Sequence, residues 1–217
     1  MKHLLSFADR MYCINLDERP DRWQLVSKEF ARVGIAASVT RVAAVSAPDP
    51  RLGCLQSHQL CIQEAIENKY ENIVIFEDDV CFVDCATDFF ADVAAFLQQD
   101  TRWDLFYLGG NVMYPARFVH RHVFRSRFFS THAYVINKRS FHSCMRAEVP
   151  IDRWYAWNTV SYGLYPMYAT QETTYSDIRG QVIGNLEEAF GRKYDLLVKP
   201  NIVMRWVNYV RTHYLTK

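Results

Sequence analysis

Hydrophobic and polar positions alternate along the first two thirds of the chain between strand-like runs and helix-like spacings. The run from Met11 to Leu16 is apolar except for Asn15 and predicts a first strand. Pro20 suits the first turn of a helix, where its missing N–H has no helical partner to lose, and Gly34 suits the stop. A second strand is predicted over 38–45.

The same alternation continues through the middle of the chain. Asp49 followed by Pro50 is typical of a helix start, and the helix is expected to run to about Asn68. The four apolar residues Ile73 to Phe76 show no alternation, which predicts a strand covered on both faces. Further strands are predicted over 105–108 and 133–136. Strands that alternate with helices indicate an α/β fold.

The chain shows no internal repeat, linker or low-complexity tract. One domain over residues 1–217 is therefore expected, with 179–217 forming a basic C-terminal helical extension. Half of the residues are hydrophobic and the formal net charge is +1, which excludes an intrinsically disordered chain. The longest apolar runs are strand-length, well short of the roughly 20 residues that a membrane-spanning helix needs.

The beginning of the chain and its cysteines both indicate a cytoplasmic protein. Asp9 and Arg10 interrupt the short apolar stretch near the N-terminus, which does not resemble a signal peptide. The six cysteines form no secreted disulfide pattern, and free buried thiols are expected. Neither Cys54 with Cys61 nor Cys81 with Cys85 has zinc-knuckle spacing, so structural zinc is not favoured.

The charge is divided unevenly. Residues 64–104 hold eleven acidic side chains against Lys69 and Arg102, a net charge of −9, so the remainder carries +10. Near-neutrality is thus a cancellation, and it excludes neither nucleic acid nor an anionic membrane surface as a partner.

Three consecutive acids, Glu77, Asp78 and Asp79, follow the buried strand. Ligands of open α/β sheets bind outside the carboxyl ends of the strands. Adjacent carboxylates repel one another, and oxygen ligands of this kind suit Mg²⁺ or Mn²⁺ held together with substrate phosphates. The alternative is a solvated turn whose acids cap a helix.

These acids belong to an ordered set of motifs that resembles glycosyltransferase family 25, the lipooligosaccharide and collagen galactosyltransferase family. The resemblance covers about residues 11–178. Its parts, in chain order, are Asn15-Leu16 with Arg19 and Asp21-Arg22, Gly53-Cys54 with Ser57-His58, Glu77-Asp78-Asp79, Trp103-Asp104 with Tyr107-Leu108-Gly109, Thr131 to Ile136, and Gln171 with Ser176-Asp177-Ile178.

The resemblance implies a single-domain GT-A, Rossmann-like fold with a mixed, mainly parallel sheet that binds a nucleotide sugar, usually with a UDP carrier. It also implies a divalent metal, Mn²⁺ or Mg²⁺, at an Asp-x-Asp-like motif. Glu77 and Asp79 are the expected metal ligands, although the motif begins here with Glu, and Asp78 is expected to face the sugar or ribose.

Further residues are expected to bind the nucleotide sugar: Asn15, Leu16, Arg19, Arg22, Ser57, His58, Asp78 and Gln171. An arginine can hold a diphosphate through two hydrogen bonds, but Arg19 and Arg22 could equally be solvated on a helix surface. His58 shares an apolar stripe with Cys54 and Cys61, so a buried core histidine is the alternative.

Inverting transfer needs a carboxylate base close to the acceptor hydroxyl. Asp152, after Val149-Pro150-Ile151, and Asp177, in the Ser-Asp-Ile segment, are the candidate catalytic bases, with a slight preference for Asp152. Asp177 could instead orient the sugar or the acceptor.

The acceptor is expected to carry phosphate, because arginines alternate with aromatic residues over 111–130 without an acid. The candidate acceptor residues are Arg117, Arg121 and Arg125. A lipopolysaccharide core, a lipid-linked acceptor at the inner membrane face and nucleic acid all remain open as acceptors. The structural alternative is a sheet-edge strand over 119–125 with arginines outward and phenylalanines inward.

The expected function is therefore metal-dependent, inverting transfer of a hexose from a UDP-sugar to a surface-glycan hydroxyl, in the cytoplasm or peripherally at the membrane. Three alternatives stay open. They are a glycosyltransferase of viral origin that modifies hydroxylated bases in DNA, a metal-dependent phosphohydrolase and an inactive nucleotide-sugar-binding homologue.

Overall fold

The computed structural model describes residues 1–84, 86–171, 175–176 and 181–182. Helices and strands alternate up to residue 77, as the sequence pattern predicts, whereas four strands follow one another over 105–137. The helices are α1 (Pro20–Arg32), α2 (Pro50–Glu67), α3 (Phe90–Gln99), α4 (Phe141–Cys144) and α5 (Ile151–Asn158). The strands are β1 (Arg10–Asn15), β2 (Val39–Ala43), β3 (Asn72–Glu77), β4 (Val80–Phe82), β5 (Leu105–Tyr107), β6 (Asn111–His120), β7 (Val123–Phe129), β8 (Ala133–Asn137), β9 (Ser161–Leu164), β10 (Ala169–Gln171), β11 (Tyr175–Ser176) and β12 (Gln181–Val182).

An eight-stranded sheet with the order β2-β1-β3-β8-β5-β9-β7-β6 forms the centre of the described part. Strand β1 pairs in parallel with β2 and β3, and β5 with β9, while the other pairs are antiparallel. It follows that β7 and β8 run against the other six strands. The predicted α/β class with a mixed, mainly parallel sheet is confirmed.

Both faces of the sheet are covered, which explains why β3 has no alternating pattern. Residues Ile73 to Phe76 are fully buried. Val74 and Phe76 share one core with Phe30 of α1 and with residues of α3. On the opposite face α2 contacts β1, β2 and β3 and packs beside α4 and α5. Successive strand residues face opposite sides, so Ile73, Ile75 and Glu77 face α2.

The predicted helix boundaries are confirmed. Helix α1 begins at Pro20, and Gly34 beyond its end has a φ of +76°, a left-handed conformation that favours glycine. Helix α2 begins at Pro50, with Asp49 accepting a hydrogen bond from the backbone N–H of Arg51. The second strand is shorter than expected: it begins after a 3₁₀ turn at residues 36–38 and ends at Ala43 instead of residue 45.

The expectation of a single edge strand over 119–125 is corrected by the structure. This stretch contains the end of β6, a turn at Arg121 and His122, and the start of β7. The inward and outward alternation holds along β7, where Phe124 is buried and Arg125 exposed. Periodicity alone missed the turn because neither turn residue is Gly, Pro, Asn, Asp or Ser.

Residues Met1–Gly184 form one compact unit. The predicted C-terminal extension over 179–217 lies almost wholly outside the described residues, so the single-domain expectation stays a prediction. No helix in the described ranges is both long and apolar enough to cross a membrane.

Candidate active site

The three acids lie where the carboxyl ends of β1 and β3 meet. Glu77 is the last residue of β3, and Asp78 and Asp79 form the turn into β4. Because β1 and β3 are parallel with Ile14 opposite Glu77, the next residue of β1, Asn15, lies beside Asp78. Each of the three acids has a different set of partners.

Asp78 is held by Asn15 and Arg22. The Asn15 amide donates to Asp78 Oδ2 at 2.7 Å, and Arg22 Nη1 donates to Asp78 Oδ1 at 3.1 Å. Asn15 is itself fixed, because Arg41 Nε donates to its Oδ1 at 2.8 Å. Burial raises the pKa of the Asp78 carboxyl even though both donors oppose the shift. The buried amide in an apolar strand thus finds partners in the acidic turn, in Arg41 and in the backbone of Arg19.

Glu77 is held through one oxygen. Thr131 Oγ1 donates to Glu77 Oε1 at 2.5 Å, and His58 Nε2 lies 3.3 Å from the same oxygen. The other ring nitrogen of His58 contacts the Tyr134 hydroxyl at 2.7 Å. Burial alone would raise the pKa of the Glu77 carboxyl, but His58, followed by Thr131, outweighs it and holds the pKa below its ordinary value.

Asp79 is the least compensated of the three. Gln171 Nε2 donates to Oδ2 at 3.2 Å, while Oδ1 is buried without a hydrogen-bond partner among the described residues. Burial, then the charges of Glu77 and Asp78, raise the pKa of Asp79 to about 8. A buried, unpartnered carboxylate oxygen beside two other acids is the environment that a bound cation would satisfy.

Gly109 allows Gln171 to reach Asp79. Strand β10 pairs antiparallel with β4, which places Gln171 opposite Val80. The backbone N–H groups of Tyr168 and Ala169, where β10 begins, donate to Leu108 O, just after β5. A Cβ at Gly109 would lie 1.7 Å from the Ala169 carbonyl oxygen. Glycine at this position therefore permits the close approach that brings β10 over the acidic turn.

Cys54 and Asp152 share the surroundings of the acids. Burial raises the pKa of the Cys54 thiol, and the charges of Glu77, Asp152 and Asp79 raise it further. Asp152, in the first turn of α5, therefore acts on the same thiol as two of the three acids. Within the described ranges, ligand atoms of Cys54, His58 and Glu77 lie within 4.8 Å of one another, so these three side chains could also hold a metal ion.

Ser57 joins α2 to the segment that follows β2. Its hydroxyl donates to Gly53 O at 2.7 Å and accepts from the backbone N–H of Val45 at 2.8 Å. The segment passes so close that a Cβ at Gly53 would lie 2.4 Å from the Val45 carbonyl oxygen. The Gly-Cys-x-x-Ser-His motif therefore combines a close backbone approach, a serine bridge and the histidine that contacts Glu77.

The profile of glycosyltransferase family 25, described as a family of lipopolysaccharide biosynthesis proteins, matches residues 44–176, which is more than half of the chain. The chain belongs to glycosyltransferase family 25. Membership confirms the resemblance and shows that the protein is a glycosyltransferase. It also agrees with the expected GT-A class of fold. A comparison with curated proteins gives no match.

Several solved structures resemble this family 25 chain at a distance. Protein A197 from STIV is 12% identical, with 75% of this chain and 85% of that chain covered and a TM-score of 0.46. A glycosyltransferase involved in glycosylation of the major capsid of PBCV-1 is 12% identical, covering 69% and 74%, with a TM-score of 0.41. UDP-glucose pyrophosphorylase complexed with UDP-glucose is 10% identical, covering 85% and 81%, with a TM-score of 0.47. Structural similarity at such low sequence identity does not indicate what this chain binds.

The remaining predicted site residues of this family 25 member fall in three groups. Leu16 and Arg19 follow β1, and Arg19 forms an ion pair with Asp21 at 3.0 Å. Asp177 lies outside the described residues. The three arginines predicted to bind the acceptor are exposed on the β6–β7 hairpin: Arg117, Arg121 and Arg125. Their roles stay predictions.

Sequence reasoning missed three side chains of the site as functional candidates. Thr131 and Tyr134 entered only as parts of a strand motif, and Arg41 was not considered. Their contacts with Glu77, His58 and Asn15 join residues far apart in sequence. The sequence did place Cys54 and His58 on one side of a helix, because they are four residues apart.

Proposed function

We propose that this glycosyltransferase is metal-dependent and inverting, and that it moves a hexose from a UDP-sugar to a hydroxyl of a surface-glycan acceptor such as lipopolysaccharide or lipooligosaccharide. The observation that carries the proposal is Asp79 Oδ1, which is buried and without a hydrogen-bond partner among the described residues, beside two other carboxylates. The lipopolysaccharide term in the family description supports a glycan acceptor.

Asp79 and Glu77 would hold Mn²⁺ or Mg²⁺, since both supply carboxylate oxygens at the turn after β3. When bound, such a cation neutralises charge that develops on the diphosphate leaving group. Glu77 is fixed through Oε1, so Oε2 is the oxygen that it would offer. Gln171 orients Asp79 through Oδ2, and Oδ1 is the oxygen that it would offer.

Asp78 would face the ribose or the donor sugar. Its two oxygens are oriented by Asn15 and Arg22, and a carboxylate held in this way can accept further hydrogen bonds from hydroxyl groups. The guanidinium groups of Arg19 and Arg22, at the start of α1, would contribute positive charge for the diphosphate.

Asp152 would act as the base that removes the proton from the acceptor hydroxyl. Its charge acts on Cys54 together with those of Glu77 and Asp79, which supports a position near the acidic turn. Its Oδ1 accepts from the backbone N–H of Arg153 at 2.7 Å, which orients the carboxylate at the start of α5. Asp177 would be the alternative base, or would orient the sugar or the acceptor.

The exposed hairpin would bind phosphate groups of the acceptor. Arg117 of β6 lies directly opposite Arg125 of β7, and both side chains are exposed. Like charges directly opposite each other destabilise an antiparallel pair. An anionic group between the two guanidinium groups would offset that repulsion, which supports an acceptor that carries phosphate.

A donor that binds the native state must raise the melting temperature, and this tests the proposal. We expect UDP-hexoses to raise it in the presence of Mn²⁺, and to have little effect when EDTA replaces the metal. UDP alone serves as the control for recognition of the nucleotide. If no nucleotide sugar shifts the melting temperature under either condition, the proposed donor class is wrong.

Replacing Arg117 and Arg125 together by alanine is expected to raise the KM for a phosphorylated acceptor by about 10-fold or more, since a hydrogen bond to a charged group contributes roughly 1.5–3 kcal/mol. The KM for the same acceptor after dephosphorylation should not change. Lys28→Ala, which removes an exposed charge from α1, is the matched control.

Binding to duplex DNA over a range of salt concentrations separates the nucleic-acid alternative. No binding at low salt supports the glycan acceptor, whereas a steep salt dependence that is lost in the arginine double variant would instead support DNA.

A further inference from the structure

The hydrogen-bonded residues behind Glu77 form a chain that crosses three elements. The chain consists of Tyr134 in β8, His58 in α2 and Glu77 at the end of β3, with Thr131 as a second donor to Glu77. Tyr134 is fully buried and His58 is 1% exposed. A polar chain in such surroundings is costly unless every member finds a partner, and here each does.

Sheet register explains why these side chains meet. Strand β8 runs antiparallel to β3 with Tyr134 opposite Ile75, and the backbone N–H of Glu77 donates to His132 O at 3.0 Å. Residues 75 and 77 face the same side of the sheet, towards α2. Helix α2 supplies His58 on that side, between the tyrosine hydroxyl and the carboxylate.

The direction of the protons follows from the acceptors. The Glu77 carboxylate can only accept, so Nε2 of His58 must carry a proton to bond with it. In the neutral ring Nδ1 then accepts from the Tyr134 hydroxyl, and in the protonated ring Nδ1 donates to it. In both forms Tyr134 holds the ring with the Nε2 proton directed at Oε1.

We propose that Tyr134, acting through His58, is a positioning residue that fixes the cation-binding carboxylate Glu77. His58 and Thr131 both engage Oε1, which leaves Oε2 as the oxygen for the cation. This inference rests on the proposed metal dependence. It relates the Ser57-His58 motif to the segment from Thr131 to Tyr134, because both supply side chains that orient the Glu77 carboxylate.

The competing use of the same residues is a soft-metal site made by Cys54, His58 and Glu77. In the structure Glu77 Oε1 and both His58 ring nitrogens already have protein partners, whereas Asp79 Oδ1 has none among the described residues. The unsatisfied acceptor thus belongs to Asp79 and not to the Cys54, His58 and Glu77 cluster.

Tyr134→Phe and Thr131→Val test the inference, since each removes one hydroxyl with little change of volume. We expect each to weaken Mn²⁺ binding, measured directly from the EPR signal of free Mn²⁺, by about 10-fold, as is typical of groups that orient a metal ligand. Tyr107→Phe is the matched control. It removes a buried hydroxyl that has no hydrogen-bond partner among the described residues, from a ring stacked 5.6 Å from Tyr134.

The ¹⁵N chemical shifts of His58 give a readout that a purely structural role would not move. They should show a protonated Nε2 in all three proteins, since Glu77 requires it, and a shifted Nδ1 resonance in Tyr134→Phe but not in Tyr107→Phe, because only Tyr134→Phe loses the hydrogen bond at Nδ1. Cys54→Ser should leave Mn²⁺ affinity unchanged, while a large loss would support the soft-metal site instead.

The outcomes separate the inference from the function on which it rests. If Tyr134→Phe and Thr131→Val both bind Mn²⁺ as tightly as the native protein while Asp79→Asn does not, the positioning role is wrong and the metal site stands. If the native protein binds no Mn²⁺ with or without UDP, both are overturned.

Discussion

Asp79→Asn is expected to lower the rate of sugar transfer by more than about 100-fold, because even groups that only orient a metal ligand are worth 10–100-fold. Asparagine has nearly the same shape and can still accept from Gln171, but it lacks the charge that a divalent cation requires. The rate of UDP release in the presence of donor and acceptor measures the loss.

Asp84→Asn is the matched control for this experiment. Asp84 lies in the same acidic segment, its side chain is 96% exposed, and it pairs with Arg32 at 2.6 Å on the surface. It should keep full activity. An Asp79→Asn protein that folds and transfers sugar at the native rate would remove Asp79 from the metal site.

Asp152→Asn is expected to reduce kcat by about 10²–10⁴-fold, the usual contribution of a general base. Asparagine retains the oxygen that accepts from the Arg153 N–H, so helix α5 should form as before. Binding of the donor and of Mn²⁺ should stay within about 2-fold of native, because the base acts on the acceptor. Steady-state kinetics together with donor titration separate the two effects.

Glu148→Gln, a change at an exposed acid just before α5, is the control for the loss of a negative charge from this region. Should Asp152→Asn retain native kcat, the base would have to be sought elsewhere, with Asp177 as the next candidate. Loss of donor binding together with kcat would instead assign Asp152 to the donor site.

Local sequence signals were enough to predict the elements of the first 77 residues and two later strands, β5 and β8. Helices α1 and α2 begin and end as expected. Their limits are set locally, by Pro20 and Gly34 for α1 and by the Asp49–Pro50 pair at the start of α2. The buried run of β3 identified an interior strand of the sheet. Strand order could not be derived from these signals, because β3 pairs with β8, some 60 residues later, while the intervening β5 lies beyond it.

The position of the candidate site could also be predicted from local sequence signals, but the hydrogen bonds within it could not. Acids after a buried strand at the carboxyl edge of an α/β sheet indicate a ligand site, and the structure brings Asn15, Arg22 and Gln171 to them. The pairing of His58 with Glu77 depends on how α2 packs over β3, and that of Thr131 on the antiparallel return of β8. No local pattern contains either contact.

Titrating UDP into the protein in Mn²⁺ and in EDTA tests the central claim, that the acids after β3 bind a nucleotide through a divalent cation. The account predicts that Mn²⁺ lowers the Kd for UDP by about 10-fold or more, and that UDP tightens Mn²⁺ binding by the same factor, as thermodynamic linkage requires. Equal affinity for UDP with and without Mn²⁺ would contradict it.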